Sequence, residues 1–333
     1  MRFWMGIASQ DTRAMRGWTF LLLAVLVAGA VYAAAAAVNN GYVFFAGYVV
    51  LQYVVLATAW NLLGGYTGYV NFGVAGFFAL AAYGTVAIEK LAPLPLPAVI
   101  LAGGAISGLL GLGMGYLTLR LRGVFFSIAT LAMAVVAQTF VVNWNFVGGS
   151  AGAFVIRPQF TAWFHIDYIH YLFLLMLVLC VIVLATARLI ERSRLGDGFA
   201  AIRDDELAAE AAGVPTLRLK LIATALSGAF MGMAGAPLPY YVTYLDPPSA
   251  FSLSYAVNTI AMPLIGGTAA WPGPLIGALL LATLQQLVTV TISSAVNLLI
   301  VGLMLVGFII IAPRGIIGWF GIGEGKLRRR KRR

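Results

Sequence analysis

The last part of the sequence is almost without charge. Between Leu221 and Pro313 the only charged residue is Asp246. A charged side chain at the centre of a bilayer costs several kcal/mol, so apolar stretches of this length are typical of chains that cross membranes. The whole chain of 333 residues is 62% hydrophobic and 10% charged, whereas soluble domains carry about 25% charged residues. The sequence therefore predicts an integral membrane protein.

The apolar stretches divide into membrane-length segments. Because unpaired backbone groups cannot face lipid, each segment is expected to be an α-helix. The predicted fold class is an all-α integral membrane protein with about ten transmembrane or partly re-entrant helices. Glycine and proline make 64–88 and 253–274 the regions where half-membrane segments are the alternative. The predicted segments are 18–38, 42–63, 72–88, 97–119, 123–142, 168–190, 221–241, 253–270, 275–292 and 295–312.

Basic residues indicate the orientation, because Lys and Arg concentrate on the cytoplasmic side. With ten alternating segments and a cytoplasmic N-terminus, nineteen of the twenty-one basic residues lie inside, and only Lys90 and Arg157 lie outside. We therefore predict that both termini are cytoplasmic. The run KLRRRKRR at 326–333 is interpreted as a topology signal rather than a nucleic-acid site. The chain then divides into a cytoplasmic N-terminal segment, a transmembrane domain and a basic cytoplasmic tail, at 1–17, 18–313 and 314–333.

Residues 191–220, here called the polar island, separate the sixth and seventh predicted segments. They hold six acidic and five basic residues, so they must lie in water. Alanines favour a short cytoplasmic helix over 199–212. Asp197 or Gly198 is the expected cap, and Gly213 is the expected stop.

The surface of this short helix indicates what it contacts. Phe199, Ile202 and Leu207 are expected to form an apolar stripe, with the acidic groups facing elsewhere. One alternative is a connector that lies on the membrane. Inner-leaflet lipids are anionic and attract Lys and Arg, so acidic residues favour a protein partner instead.

Two uncharged segments rich in glycine and proline, 64–76 and 265–274, lie before and after the polar island. Interrupted helices in corresponding halves are the best sequence indication of a transport path, because they expose backbone groups. We predict that the path is lined or shaped by Asn71, Gly73, Gly266 and Gly267. The alternative is that these glycines only allow close helix packing. Packing alone is predicted for the G-x-x-x-G spacings of 97–119, at Gly104, Gly108, Gly111 and Gly115.

Several stretches resemble one family in the expected order. AIRDDELAAEAAGV at 201–214 resembles the cytoplasmic EAA-type loop of ABC importer permeases. NLLGGYTGYVNFGVAGFFALAAYG at 61–84 and LRGVFFSIATLAMA at 121–134 are similar to its N-terminal and middle segments. IGGTAAWPGPLIGALL at 265–280 and APRGIIG at 312–318 are similar to its C-terminal part. The chain is identified as a member of the branched-chain amino-acid permeases of the LivH/LivM type, and is most similar to the LivM branch.

The resemblance implies a permease subunit in the inner membrane of a bacterial cell. It implies a second, LivH-like permease subunit, two ATP-binding subunits and a periplasmic binding protein that delivers branched-chain amino acids. On the family pattern, the polar island holds the coupling helix. The implied ATPase-coupling residues are Arg203, Asp204, Glu206, Glu210 and Gly213.

The sequence also limits the chemistry of the chain. It has no G-x-x-x-x-G-K-[ST] phosphate loop, so ATP is expected on partner subunits and no cofactor is expected here. Cys180, His165 and His170 form no metal-site pattern, and no nucleophile motif indicates an enzyme.

The alternative functions are a permease of the same family for urea or short amides, and a stand-alone secondary transporter. The latter normally needs a charge within the membrane, and the predicted segments carry charges only at their edges.

Overall fold

The computed structural model describes residues 2–38, 40–118, 120–121, 123–158, 167–291, 299, 302–304, 306–307 and 315–319, with residues 2–17, 291 and 319 described by their backbone alone. The predicted segment 295–312 lies largely outside the described residues. His165 and the basic run 326–333 lie wholly outside them.

The described chain is almost entirely helical. Its helices are α1 (Arg2–Ala37), α2 (Gly41–Thr67), α3 (Val74–Leu91), α4 (Leu96–Thr118), α5 (Val124–Val142), α6 (Tyr168–Glu191), α7 (Arg194–Asp204), α8 (Glu206–Ala211), α9 (Thr216–Gly235), α10 (Leu238–Val242), α11 (Pro247–Ala250), α12 (Leu253–Gly266), α13 (Pro272–Thr291) and α14 (Gly315–Trp319). Two short 3₁₀ turns, Asn145–Val147 and Gly149–Ala151, follow α5. Strands β1 (Ala153–Phe154) and β2 (Tyr244–Leu245) pair antiparallel.

Eight helices within the described residues are long and apolar enough to cross a membrane, counting α9 and α10 as one. They correspond to the first seven predicted segments and to the ninth. An all-α membrane fold is therefore confirmed. The boundaries of α2 differ from the prediction, because this helix continues through Gly64 and Gly65 to Thr67. A Cβ added at Gly65 would collide with the Asn61 side chain, so glycine allows that side chain to fold along the helix.

Helix α12 is shorter than the predicted segment 253–270. It has 14 residues, and at about 1.5 Å per residue it reaches only two-thirds of the way across a bilayer core. Pro263 lacks an amide to donate, and Gly267 ends the helix with φ 114°. The half-membrane alternative is therefore the better description of this region, whereas α2 and α3 are both of full length.

The core lies along α2, α3 and α9. Buried residues make up 61% of the most apolar window of α2 and 72% of that of α3, against 6% in α1. Helix α2 packs against α6, α9, α12 and α13, so it is the central helix. Helices α1 and α5 lie at the periphery, where exposed apolar side chains are suited to lipid.

Helices α4 and α9 approach each other through glycines. A Cβ at Gly103 would lie 2.8 Å from the Ala236 Cβ, and one at Gly111 would lie 2.8 Å from the Thr224 carbonyl oxygen. Small residues let membrane helices approach until their backbones touch. The predicted packing role is confirmed for Gly104, Gly108 and Gly111, because a Cβ at each would lie within 3.3 Å of α9.

One end of the bundle, here called the island end, gathers the polar island, the α2–α3 loop, the start of α5 and the α12–α13 turn. Arg203 of the polar island donates to the Gly65 carbonyl oxygen at 3.4 Å, which places the end of α2 here. Ser127 Oγ, near the start of α5, donates to the Val70 carbonyl oxygen of the α2–α3 loop at 2.8 Å. The Trp271 amide donates to Glu191 Oε2 at 2.8 Å, which brings the α12–α13 turn there as well. Phe20 of α1 packs edge-on against Trp271, with ring centroids 5.2 Å apart.

The opposite end holds the two basic residues that were predicted to lie outside. Lys90 Nζ donates to the Phe146 carbonyl oxygen at 2.8 Å, and Arg157 lies 5.5 Å from the centre of the Phe45 ring. The β1–β2 pair lies at this end too, since Tyr83 donates to the Leu245 carbonyl oxygen at 3.2 Å. The loops are therefore distributed between the two ends of the bundle as the predicted topology requires. Which end faces the cytoplasm stays a prediction.

Candidate functional site

The polar island folds into two short helices at the island end. Ser193 begins α7, because its Oγ accepts hydrogen bonds from the Leu195 and Gly196 amides at 3.2 and 3.4 Å. The expected caps, Asp197 and Gly198, already lie inside the helix. The predicted start is therefore wrong, and serine is the cap.

The single helix predicted over 199–212 is interrupted at Asp205. This residue is extended, with φ −161° and ψ 112°, so α7 ends at Asp204. Asp205 Oδ1 accepts a hydrogen bond from the Ala208 amide at 3.1 Å and thereby caps α8. A carboxylate at this position also interacts favourably with the positive end of the helix dipole.

The apolar side of α7 packs on the bundle. Phe199 is fully buried and Ile202 is 4% exposed. Leu207 was predicted to continue this stripe, but it is 62% exposed. The extended residue Asp205 breaks the helical spacing that would have placed the three side chains on one face. Leu207 is left as exposed apolar surface among acidic residues.

Helix α8 ends at the predicted stop. Gly213 has φ 82°, and its amide donates to the Glu210 carbonyl oxygen at 2.9 Å. The Val214 amide donates to the Ala209 carbonyl oxygen at 2.9 Å. Glycine adopts this left-handed conformation without a steric penalty. The prediction that Gly213 stops the helix is confirmed.

Arg203 joins the end of α7 to the end of α2. Its Nη1 donates to the Gly65 carbonyl oxygen at 3.4 Å, and a cation here faces the negative end of the α2 dipole. Its ion pair with Asp204 spans 3.6 Å between side chains that are 35% and 60% exposed, so we expect it to contribute only about 0–1 kcal/mol. Arg203 therefore acts toward the bundle, and Asp204 is left exposed.

Glu206 points into the bundle. Its Oε1 accepts a hydrogen bond from Lys220 Nζ at 2.7 Å, and its Oε2 accepts one from the Tyr69 hydroxyl. Lys220 Nζ also donates to Tyr69 Oη at 3.2 Å. The Lys220 and Glu206 side chains are 4% and 12% exposed. The sequence analysis placed the acidic groups away from the bundle, and for Glu206 this is wrong because Lys220 neutralises it inside.

The other acidic side chains of α8 and its flanks, Asp204, Asp205 and Glu210, are exposed. Glu210 is exposed, and its Oε1 accepts a hydrogen bond from the Thr216 hydroxyl at 2.7 Å. The exposed residues of α8 and its flanks include Asp204, Asp205, Leu207, Glu210 and Gly213, and these five are here called the outer ridge.

Asn71 and Gly73 lie in the loop between α2 and α3. Asn71 is fully buried, its carbonyl oxygen accepts from Trp60 Nε1 at 2.8 Å, and its Oδ1 accepts from the Gly73 amide at 2.7 Å. Within the described part of the chain, Asn71 Nδ2 has no hydrogen-bond partner. A Cβ at Gly73 would lie 2.8 Å from the Thr130 carbonyl oxygen. Asn71 therefore shapes the loop, and Gly73 lets it approach α5.

Gly266 and Gly267 lie where α12 turns toward α13. A Cβ at Gly266 would collide with the Gly273 carbonyl oxygen, so these glycines are in close packing. Their lining of a path stays a prediction. The two glycine-rich segments do meet at the island end, where a Cβ at Gly65 would lie 3.0 Å from the Thr268 carbonyl oxygen.

The structure adds a polar chain that the sequence analysis did not single out. Asn258 Nδ2 of α12 donates to Tyr53 Oη of α2 at 3.3 Å, and Gln285 Nε2 of α13 donates to Asn258 Oδ1 at 3.1 Å. Uncharged polar groups inside a membrane join helices by such bonds. Single amides within apolar segments were the available signal, but their partners lie in distant segments.

These features define a multi-pass α-helical membrane protein with a mixed-charge segment held at one end. The family described as "Branched-chain amino acid transport system / permease component" matches residues 42–309, and the chain belongs to this family. It is a transport permease rather than a member of an enzyme family.

Three relatives show how far the similarity extends. The high-affinity branched-chain amino acid transport system permease proteins LivM of Salmonella typhimurium (strain LT2) and Escherichia coli (strain K12) are each 25% identical over 289 residues, covering 80% of this chain and 67% of the relative. A probable branched-chain amino acid transport permease protein LivH of Methanocaldococcus jannaschii is 25% identical over 282 residues, covering 80% of this chain and 88% of the relative. No solved structure matches the chain at a significant level.

Proposed function

We propose that this protein is the permease subunit of an ABC importer for branched-chain amino acids. The observation that carries the proposal is the family match across 42–309, which takes in the central helices and the polar island together. The LivM relatives are named for branched-chain amino acid transport, which supports this cargo class. In the assembly, the chain would pair with a LivH-like permease subunit, two ATP-binding subunits and a periplasmic substrate-binding protein.

The island end would face the cytoplasm. It holds the polar island, whose five basic residues outnumber the two at the other end, Lys90 and Arg157. The asymmetry of Lys and Arg supports this orientation. The N-terminal segment 1–17 and the basic tail 314–333 would then be cytoplasmic flanks of the transmembrane domain 18–313.

Helices α7 and α8 would form the coupling segment, and the outer ridge would dock in a groove of an ATP-binding subunit. Asp204, Glu210 and Gly213 would act on this outer side, whereas Arg203 and Glu206 would hold the segment to the bundle. The exposed apolar side chain of Leu207, surrounded by acidic groups, supports a protein partner, because a lipid headgroup surface would favour basic residues. ATP would bind to the partner subunits.

The transport path would run beside α2, α12 and α13, with Asn71, Gly73, Gly266 and Gly267 shaping its cytoplasmic end. The charged residues of the described spans lie close to helix ends, such as Glu89 at the end of α3. A path without central charges holds a zwitterion weakly. This supports a division of labour in which the soluble binding protein supplies affinity and the membrane subunits supply the route.

Reconstitution tests this proposal directly. Proteoliposomes with the full complex should take up radiolabelled leucine or valine only when ATP and both ATP-binding subunits are present. Urea tested in the same vesicles distinguishes the cargo classes. Uptake that continues without ATP-binding subunits would show a stand-alone transporter instead, and uptake of urea alone would overturn the cargo assignment.

The docking role has its own test in Glu210→Lys. Reversal of an exposed charge on the outer ridge should weaken binding of the ATP-binding subunits without changing membrane insertion, because Glu210 lies outside the bundle core. The measurement is co-purification of the ATP-binding subunits together with leucine uptake. Arg218→Glu, an exposed charge reversal on α9, is the matched control. Normal binding and uptake in the Glu210 variant would remove this residue from the docking surface.

A further inference from the structure

Tyr69, Glu206 and Lys220 form a buried polar cluster. Docking of a partner on an exposed surface does not require such a cluster. Lys220 and Glu206 form an ion pair at 2.7 Å and are almost withdrawn from solvent. The Tyr69 hydroxyl contacts both partners, and Lys220 Nζ also lies 4.8 Å from the centre of the Tyr69 ring. Burying a charge pair carries a large desolvation penalty, and hydrophobic residues of similar volume often stabilise a fold as well.

The cluster joins three elements that are distant in the sequence. Glu206 is the first residue of α8, and Lys220 lies in the first part of α9. Tyr69 follows the last residues of α2, where Gly68 has φ 80°. The Tyr69 ring also packs edge-on against Phe126 of α5, with centroids 5.1 Å apart. A displacement of α8 therefore acts on the α2–α3 loop and on α5 through side chains in direct contact.

A second contact attaches α7 to the same region of the chain. Arg203, at the end of α7, reaches the Gly65 carbonyl oxygen, and its Cγ would lie 3.2 Å from a Cβ placed at Gly68. Glu206 and Arg203 therefore hold the α2–α3 loop from both sides of the break at Asp205. The two short helices are fixed to the same loop rather than to each other alone.

We propose that Tyr69, Glu206 and Lys220 are positioning residues that carry motion of the coupling segment into the α2–α3 loop. The inference rests on the proposed function, because it needs an ATP-driven partner at the outer ridge. It assigns Glu206 to transmission inside the subunit instead of contact with the ATP-binding subunit. The loop that moves includes Asn71 and Gly73, which lie next to α5.

The test distinguishes a role of the cluster in transmitting motion from a role in stabilising the fold. Tyr69→Phe keeps the ring against Phe126 and removes the hydroxyl that contacts both charges, and Glu206→Gln keeps the shape and removes the charge. Each variant is assembled into the full complex in proteoliposomes, where leucine uptake and ATP hydrolysis are measured on one sample. We expect uptake per ATP hydrolysed to fall about two- to thirty-fold, the range for residues that alter coupling between sites. Tyr116→Phe, at an exposed position of α4, should leave the ratio unchanged.

The exchange Glu206→Lys with Lys220→Glu adds a test of charge pairing. It should restore part of the ratio lost in Glu206→Lys alone, because the exchanged pair is again neutral. If uptake and hydrolysis fall in proportion in both conservative variants, the cluster only stabilises the fold and the inference is wrong. It is equally wrong if both variants keep the wild-type ratio. Failure of the wild-type complex to show ATP-dependent uptake would instead refute the proposed function.

Discussion

Two glycines of α4 provide a controlled test of how the bundle is packed. Gly111 and Gly113 lie on the same helix, two residues apart, and both can be replaced by alanine. A Cβ at Gly111 would lie 2.8 Å from the Thr224 carbonyl oxygen, whereas nothing among the described residues lies within 4 Å of one at Gly113. Alanine is favoured over glycine in a helix by about 1 kcal/mol at either position. Overpacking at Gly111 adds a cost of about 1–3 kcal/mol, because the neighbour is backbone and cannot rotate away.

The free energy of unfolding should therefore be about 1–3 kcal/mol lower for Gly111→Ala than for Gly113→Ala, since the helix preference cancels between them. Cys180, the single cysteine of the chain, is buried in α6 and provides the readout. Maleimide labelling of Cys180 during a titration with dodecyl sulfate in mixed micelles measures unfolding. Two variants that agree within about 0.5 kcal/mol, the usual effect of a surface substitution, would refute the close approach of α4 and α9.

Three further predictions address the polar groups and the orientation. Asn258→Ala should lower the free energy of unfolding by about 1–2 kcal/mol in the same assay, because two intramembrane hydrogen bonds of about 0.6 kcal/mol or more are lost; an unchanged value would show that the polar chain does not stabilise the bundle. Asp205→Ala removes the cap that accepts from the Ala208 amide and should cost about 0.5–2 kcal/mol, with faster amide hydrogen exchange confined to α8; uniform exchange across the polar island would contradict a separate α8. In a Cys180→Ser background, Ala211→Cys should react with an impermeant maleimide only from the cytoplasmic side and Ala151→Cys only from the periplasmic side, and the opposite pattern would invert the proposed orientation.

The spans could be predicted because one physical constraint controls them. A helix in lipid needs a minimum apolar length and cannot hold central charges, and both properties can be counted along the sequence. The end of α2 could not be predicted in the same way. Gly64 and Gly65 indicate a loop by their local preference. In the helix, however, the Trp60 side chain occupies the space that a Cβ at Gly64 would take, and the Asn61 side chain occupies that space at Gly65. Tertiary packing decided that boundary.

In the polar island, one feature follows from the local sequence and others depend on residues that are distant in the sequence. Gly213 could be predicted as a stop because its left-handed conformation follows from a local rule. The break at Asp205 could not, because three adjacent acidic residues leave open which of them caps a helix. The inward position of Glu206 depends on Lys220 and Tyr69, which are distant in the sequence, and no local pattern identifies that pairing. The residues assigned to ATPase coupling by family resemblance therefore lie on two sides of the segment. Arg203 and Glu206 contact the bundle, whereas Asp204, Glu210 and Gly213 are exposed.

Helix α1 differs from its neighbours in how little of it is enclosed. Only 6% of its apolar window is buried within the described part of the chain, and it meets the bundle through contacts such as Tyr32 with the Phe44 and Phe173 rings. The region shared with the family begins at residue 42, after α1 has ended. A helix attached along one narrow strip tolerates substitution over most of its circumference. The sequence of α1 can therefore adapt to a particular lipid mixture or a neighbouring polypeptide, whereas packing constrains the sequences of the buried helices.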